Sequence, residues 1–252
     1  MFGWLRRKSP ARPSARIAGD ALVYAVGDIH GRDDLLGSLL ATIGADAAGR
    51  SPGPRRIVYL GDYVDRGMQS REVIDRLLLG PPAGFEVTCL MGNHEEAFLA
   101  FLDGEEAGFD WLRYGGLETL HSYGVPVARQ PNTPRDLEQL RAEALERVPA
   151  AHVGFMRDAI LWHGEGDYLF VHAGVRPGLP LERQQPRDLL WIRDEFLNSR
   201  DDHGGRVVVH GHTICDAPDV RPNRINIDTG AYASGRLTAL VLSGDQRAFL
   251  AT

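Results

Sequence analysis

Five short segments of this 252-residue chain concentrate side chains able to bind metals or move protons. They are Gly27-Asp28-Ile29-His30-Gly31, Gly61-Asp62-Tyr63-Val64-Asp65-Arg66-Gly67, Gly92-Asn93-His94-Glu95, His172-Ala173-Gly174 and His210-Gly211-His212. Each alone has a plain structural reading: an aspartate behind a strand caps a helix, and a histidine at a strand end is hydrogen-bonded scaffolding. Five together, each directly behind an apolar run, are hard to explain as capping. The donor types are Asp, His, Asp, Asn, His and His, a mixture of oxygen and nitrogen without thiolate. Such a set suits Mn²⁺, Fe or Zn²⁺ in a catalytic site better than a structural zinc. Six donors exceed what one open catalytic ion takes and are enough for two ions sharing a carboxylate. Two ions ~3.5–4 Å apart clamp the oxygens of an in-line phosphoryl displacement and bring a shared water's pKa towards neutrality.

Segments so far apart in the chain need elements that bring their ends together. Residues 21–27 (ALVYAVG) read as a buried strand, and 33–43 as a helix with Leu35, Leu36, Leu39, Leu40 and Ile43 on one face. Residues 57–60 and 86–91 read as further strands; 70–79, stopped by Gly80-Pro81-Pro82, and a stretch from 95 to 102 read as helices. This alternation predicts right-handed parallel crossovers, and ligands bind outside the carboxyl ends of such strands. From about 103 to 160 the pattern is helical and irregular, with a helix start at Thr133-Pro134-Arg135-Asp136. Beyond 165 it is mainly strands (168–171, 206–209, 224–227 and 237–242), interrupted by one helix over about 186–197. The expected fold class is α/β: two stacked mixed β-sheets flanked by helices, one domain over 18–252 with a helical insert at about 103–160.

The five segments resemble the signature of the phosphoprotein phosphatase (PPP-type) family of calcineurin-like metallophosphoesterases, its bacterial and bacteriophage lambda members most closely. Leu189-Leu190-Trp191-Ile192-Arg193 resembles the family's Trp-x-Arg segment, and Ile227-Asp228-Thr229-Gly230-Ala231 with Leu237-Thr238 its final strands. The resemblance spans about residues 22–243. It implies that Asp28 and His30 bind a first metal, that Asp62 bridges both, and that Asn93, His172 and His212 bind the second. Of the two histidines flanking Gly211, the family pattern selects His212, which leaves His210 to orient a ligand. His94 is the implied general acid, with Asp65 holding its imidazole protonated. Arg66 and Arg193, with Asn93, would grip the substrate phosphate, since a guanidinium fork matches its oxygens. Tyr232, a looser match, would line the cleft.

The implied activity is that of a metal-dependent phosphomonoesterase, first of all a protein serine/threonine phosphatase, in which a metal-bridging hydroxide attacks phosphorus in line. Two divalent ions per chain are expected, Mn²⁺ first, with Fe or Zn²⁺ also suited to the donors. The partner is then a phosphoprotein or a small phosphoester. One alternative is a symmetrical dinucleoside polyphosphate hydrolase of the same fold; those enzymes usually lack an aspartate at the Asp65 position. A second alternative, an inactive phosphate-binding module, would normally lack a ligand or the acid, and neither is missing here.

Composition narrows the classes further. Hydrophobic residues make up 43% and charged residues 25%, a globular balance, and no apolar run reaches the ~20 residues of a transmembrane helix. The net charge of −6 argues against a nucleic-acid-coating protein. Two cysteines give no disulfide framework and no secretory apolar stretch follows the N-terminal charges, so the expected setting is cytoplasmic. Residues 1–17 carry Arg6, Arg7, Lys8, Arg12 and Arg16 with no acid and read as a disordered basic tail. His121, His152, His163 and His203 read as structural or surface residues.

Overall fold

The computed structural model describes residues 15–105, 108–127 and 131–252. The first half runs β1 (Leu22–Val26), α1 (Asp33–Ala48), β2 (Arg55–Tyr59), α2 (Ser70–Leu79), β3 (Glu86–Cys89) and α3 (Asn93–Asp103). The insert follows: α4 (Gly108–Trp111), a π-helical turn (Leu112–Gly116), α5 (Leu117–Ser122), α6 (Pro134–Arg147) and α7 (Ala150–Asp158). The second half runs β4 (Trp162–Glu165), β5 (Tyr168–Val171), α8 (Pro186–Trp191), α9 (Asp194–Leu197), β6 (Val207–His210), β7 (Asp219–Val220) and β8 (Arg224–Asn226). It ends with α10 (Ala231–Ser234), β9 (Thr238–Ser243) and β10 (Gln246–Ala251).

Two five-stranded sheets form, in the orders β10-β9-β1-β2-β3 and β4-β5-β6-β8-β7. Both are mixed. β1, β2 and β3 are parallel, as are β5, β6 and β8, while β9, β10, β4 and β7 pair antiparallel. The expected α/β class with two mixed sheets is therefore the observed one. Period-two alternation sorts each strand between two cores. Val23, Ala25, Val58, Leu240 and Leu242 meet Tyr168, Phe170, Val207, Val209 and Ile225 between the sheets. Leu22, Tyr24, Val26, Ile57 and Tyr59 face the other way, onto Leu36, Leu39 and Ile43 of α1, Val73 and Ile74 of α2, and Phe98 of α3. On the outer face of the second sheet, Leu169, Val171 and Val208 pack on Leu189, Ile192 and Phe196. All five β1 residues are buried because each face has a partner layer, which is why the strand reads as a continuous apolar run.

The insert lies over α2 and α3. Its longest helix starts where expected: Thr133 caps it by accepting from the Asp136 N–H at 3.1 Å, and Pro134 occupies the first turn. Several boundaries differ from expectation. β3 stops at Cys89 and α3 begins two residues early, at Asn93. The expected helix over 186–197 is broken at Arg193, whose φ of −130° and ψ of −102° are not helical. The expected tail overreaches: Ile17 is fully buried between the sheets, and its N–H donates to Gly244 O at 2.8 Å. Residues 1–14 of that tail lie outside the described residues. No described helix is long and apolar enough to cross a membrane.

Candidate metal centre and active site

The five segments leave the carboxyl ends of β1, β2 and β3 in one sheet and of β5 and β6 in the other. Stacking the sheets brings these ends together. Asp28, His30, Asp62, Asn93, His94, His172 and His212 are all buried. Potential ligand atoms of His30, Asp62 and His94 lie within 4.8 Å of one another, and so do those of Asp62, His172 and His212. Asp62 is common to both groups. Asp28 joins from β1, with Oδ2 accepting the His212 N–H at 3.0 Å. Asn93 joins from the first turn of α3, with Oδ1 2.9 Å from His172 Nε2 and 2.8 Å from His212 Nδ1.

The donor chemistry fits cations. His30 Nδ1 lies 2.8 Å from Val64 O and His172 Nδ1 2.9 Å from Leu60 O. A carbonyl accepts, so each Nδ1 carries the hydrogen and each neutral ring turns the lone pair of Nε2 inward. Burial pushes both rings below the ordinary imidazole range, His30 to about 3, which keeps them neutral. Those lone pairs face Asp62, His30 Nε2 at 3.4 Å from Oδ2 and His172 Nε2 at 3.4 Å from Oδ1. Acceptors therefore converge with no hydrogen between them, an arrangement a cation resolves. Asp28 Oδ1 and His212 Nε2 are also buried without a hydrogen-bond partner among the described residues. Burial, together with the nearby Asp228 and Asp62 charges, drives the Asp28 carboxyl well above its ordinary range, the expected cost of an uncompensated anion.

Around this centre the backbone is fixed by Glu95, at the third position of α3. Its buried carboxylate accepts from the N–H groups of Asp62 (2.8 Å), Tyr63 (2.8 Å), Val64 (3.1 Å) and Gly92 (3.0 Å). Gly211 allows the close approach of the chain after β6 to Asp28, since a Cβ there would lie 1.9 Å from Asp28 Oδ1. Sequence reasoning gave Glu95 no task; an acid at N3 of a helix that opens on a glycine turn was the available signal.

His94 Nδ1 lies 2.6 Å from Asp65 Oδ2. Burial works against a charge on this ring, but the Asp62 and Asp65 carboxylates outweigh it and hold the imidazole at about 9. Its Nε2 sits 3.2 Å from Arg66 Nη2. The Arg66 guanidinium in turn lies over the Tyr232 ring, 4.8 Å from its centroid, and Tyr232 is edge-on to His30. Arg193, in the break between α8 and α9, is exposed and donates from Nη1 to Thr213 Oγ1 at 3.3 Å. Both arginines line a cavity of about 850 Å³ together with Asp62, Asn93, His94 and His212. Trp111, Tyr114 and Trp191 also line it, as do the acids Glu96, Asp103, Glu105 and Asp110.

One expected placement, that of His210, is not met. His210 is buried, but its Nδ1 faces the carbonyl of Gly211 and its ring lies edge-on to Phe196, with no hydrogen bond to a candidate ligand among the described residues. His152, His163 and His203 lie away from the centre as expected of structural residues, against Tyr123, Glu165 and Phe196 respectively. Two residues with no expected task, Trp111 and Thr119, reach Asp65 from the insert.

The family model of calcineurin-like phosphoesterases matches residues 21–223. The chain is 37% identical to a symmetrical bis(5'-nucleosyl)-tetraphosphatase of Acidovorax sp. (strain JS42) over 155 residues, 62% of this chain and 44% of that protein. It thus spans less than half the length of that relative. It is 26% identical to an asymmetrical bis(5'-nucleosyl)-tetraphosphatase of Anoxybacillus flavithermus over 233 residues, 85% of this chain and 88% of that one. It is 27% identical to serine/threonine-protein phosphatase 2 of Salmonella typhimurium over 224 residues, 86% of this chain and 90% of that one.

Proposed function

The chain belongs to the calcineurin-like phosphoesterase family, and from that premise we propose that it removes phosphate from serine and threonine side chains of proteins. Asp28 and His30 would hold one divalent ion and Asn93, His172 and His212 a second, with Asp62 available to both; Mn²⁺ is the first candidate. When bound, such ions offset phosphate charge and acidify water. The remaining work falls to side chains of the chain itself. Arg66 and Arg193 bind the phosphate oxygens from the cavity wall. His94 Nε2 and Arg66 Nη2 converge to 3.2 Å, so both can donate to one phosphate ester. Water supplies an oxygen to phosphorus, the ester P–O bond breaks, and the leaving oxygen takes the proton of His94 Nε2. Phosphate and a free hydroxyl result, and the imidazole regains its proton from solvent.

The observation that carries this reading is the buried Asp65–His94 pair beside the ligands, at 2.6 Å. A serine or threonine alkoxide is a strong base and departs poorly without a proton, so a positioned acid is worth ~10²–10⁴-fold. A nucleotide phosphate is a far weaker base and gains little from one. The further acids lining the cavity, Glu96, Asp103, Glu105 and Asp110, also suit a polypeptide better than a polyphosphate chain. A second reading, hydrolysis of dinucleoside polyphosphates, is favoured by the names of two relatives. Parallel assays with Mn²⁺ on p-nitrophenyl phosphate, a phosphoserine peptide and diadenosine tetraphosphate separate the two. Turnover of the peptide is expected; turnover confined to the dinucleotide would overturn the proposal in favour of the second reading.

A further inference from the structure

The Asp65 carboxylate is wholly enclosed and accepts three hydrogen bonds. One comes from His94 Nδ1 (2.6 Å); the others come from Trp111 Nε1 (2.8 Å, to the same Oδ2) and Thr119 Oγ1 (2.6 Å, to Oδ1). Trp111 closes α4 and Thr119 lies in α5, so two of the three donors belong to the insert. Thr119 Oγ1 also accepts the backbone N–H of Asp65 at 2.8 Å, gripping main chain and side chain of one residue. The Trp111 ring stacks on Phe98, with centroids 4.9 Å apart and planes 10° apart. Phe98 lies on α3, the helix whose first turn carries His94, so α3 and the insert are locked at the same point. The next residue is held as well: the Arg66 N–H donates to Gly115 O at 3.2 Å. Gly115 lies in the π-helical turn at a φ of +114°, and a Cβ there would come within 2.4 Å of Arg66 N.

These contacts have one common consequence. A carboxylate held only by His94 could rotate and carry the imidazole with it. Two further donors, fixed by separate helices, leave it one orientation. Asp65 and Arg66 moreover adopt left-handed φ values of 72° and 67°, which a non-glycine residue keeps only when its surroundings impose them.

We propose that the segment 108–122 is a support for proton delivery, in which Trp111 and Thr119 are positioning residues that fix Asp65 so that His94 presents Nε2 to the leaving oxygen. The inference rests on the reading of His94 as proton donor. It predicts a specific defect when the support is loosened. The imidazole remains present but misdirected, and misplacement by about 1 Å can cost ~10²-fold. The loss falls on esters whose leaving oxygen needs a proton and spares those whose leaving oxygen does not.

Leaving-group dependence reads this out. Trp111→Phe keeps the ring stack on Phe98 and removes the N–H. Thr119→Val removes the hydroxyl, and Thr119→Ser restores it. Each variant, loaded with Mn²⁺ and checked for metal content, is assayed on a phosphoserine peptide and on p-nitrophenyl phosphate. Trp111→Phe and Thr119→Val should lose about tenfold or more turnover on the peptide relative to the aryl ester, while Thr119→Ser keeps the wild-type ratio. Parallel losses on both substrates, or Thr119→Ser behaving like Thr119→Val, would overturn the proposal. If Trp111→Phe fails to fold, the two Thr119 variants decide it. His94→Asn separates the layers. A skew in His94→Asn without one in Trp111→Phe and Thr119→Val rejects the positioning role alone; no skew in His94→Asn rejects the proton-donor reading and the support with it.

Discussion

Asp62 is the side chain common to both halves of the candidate centre. Its Oδ1 faces His172 and its Oδ2 faces His30, so one carboxylate orders lone pairs contributed by both sheets. Burial works against a charge on it, yet its carboxyl lies well below the ordinary range, and His94 is the imidazole beside it that is itself held protonated. Asp62→Asn keeps the size and removes the charge; activity should disappear and metal content, measured by elemental analysis, should fall below two per chain. His94→Asn tests a different step. Its Nδ1 is taken by Asp65, and Asn93, His172 and His212 do not need it. Turnover of a phosphoserine peptide should drop by ~10²–10⁴-fold with two metals per chain retained. Full activity in that variant would remove His94 from the mechanism. Most of these residues were legible in the sequence because each follows an apolar strand and is flanked by glycine. Trp111 and Thr119 were not: they meet Asp65 from about fifty positions away, and their local pattern is that of ordinary helix packing.

The loops between strand ends and helices store backbone strain where the chemistry is expected. Among the described residues, six non-glycine positions have positive φ, and five of them are His30, Asp62, Asp65, Arg66 and His212. Each costs about 1 kcal/mol or more, offset by fixed contacts such as the four backbone N–H groups gathered by Glu95. Arg66→Gly tests the trade directly. Glycine takes a φ of 67° freely, while the Tyr232 contact and the proposed phosphate grip are lost. Stability in urea should stay within about 1 kcal/mol of wild type, while KM for the phosphopeptide rises about tenfold. A large loss of stability would show that the side chain, not the strain, governs this turn. Strands buried on both faces were readable, whereas β4, β7 and β10 were missed. β10 shows why: it is an edge strand, mostly exposed, with polar residues at its start. The break at Arg193 was hidden too, since neither glycine nor proline marks it.

At the scale of the whole molecule, two sheets are stacked so that their carboxyl ends face one cavity, and the insert closes over the first sheet's helices. That arrangement buries at least three carboxylates, Asp28, Asp62 and Asp228, near one another, and burial with Asp62 nearby lifts Asp228 to about 6. A fold that crowds anions in this way is under electrostatic load until cations join it. A ligand that binds only the folded state adds about 2.7 kcal/mol at a hundredfold excess over its Kd. Chelation by EDTA should therefore lower Tm, and graded Mn²⁺ should restore it as a saturable function of concentration; a Tm indifferent to both would mean that the acceptors are balanced some other way. The most direct measurement is anomalous diffraction from crystals grown with Mn²⁺. Two peaks are predicted, one beside Asp28 and His30 and one beside Asn93, His172 and His212, with Asp62 reaching both. No peak, or peaks only elsewhere on the protein, would contradict the binuclear centre and the phosphoester chemistry built on it.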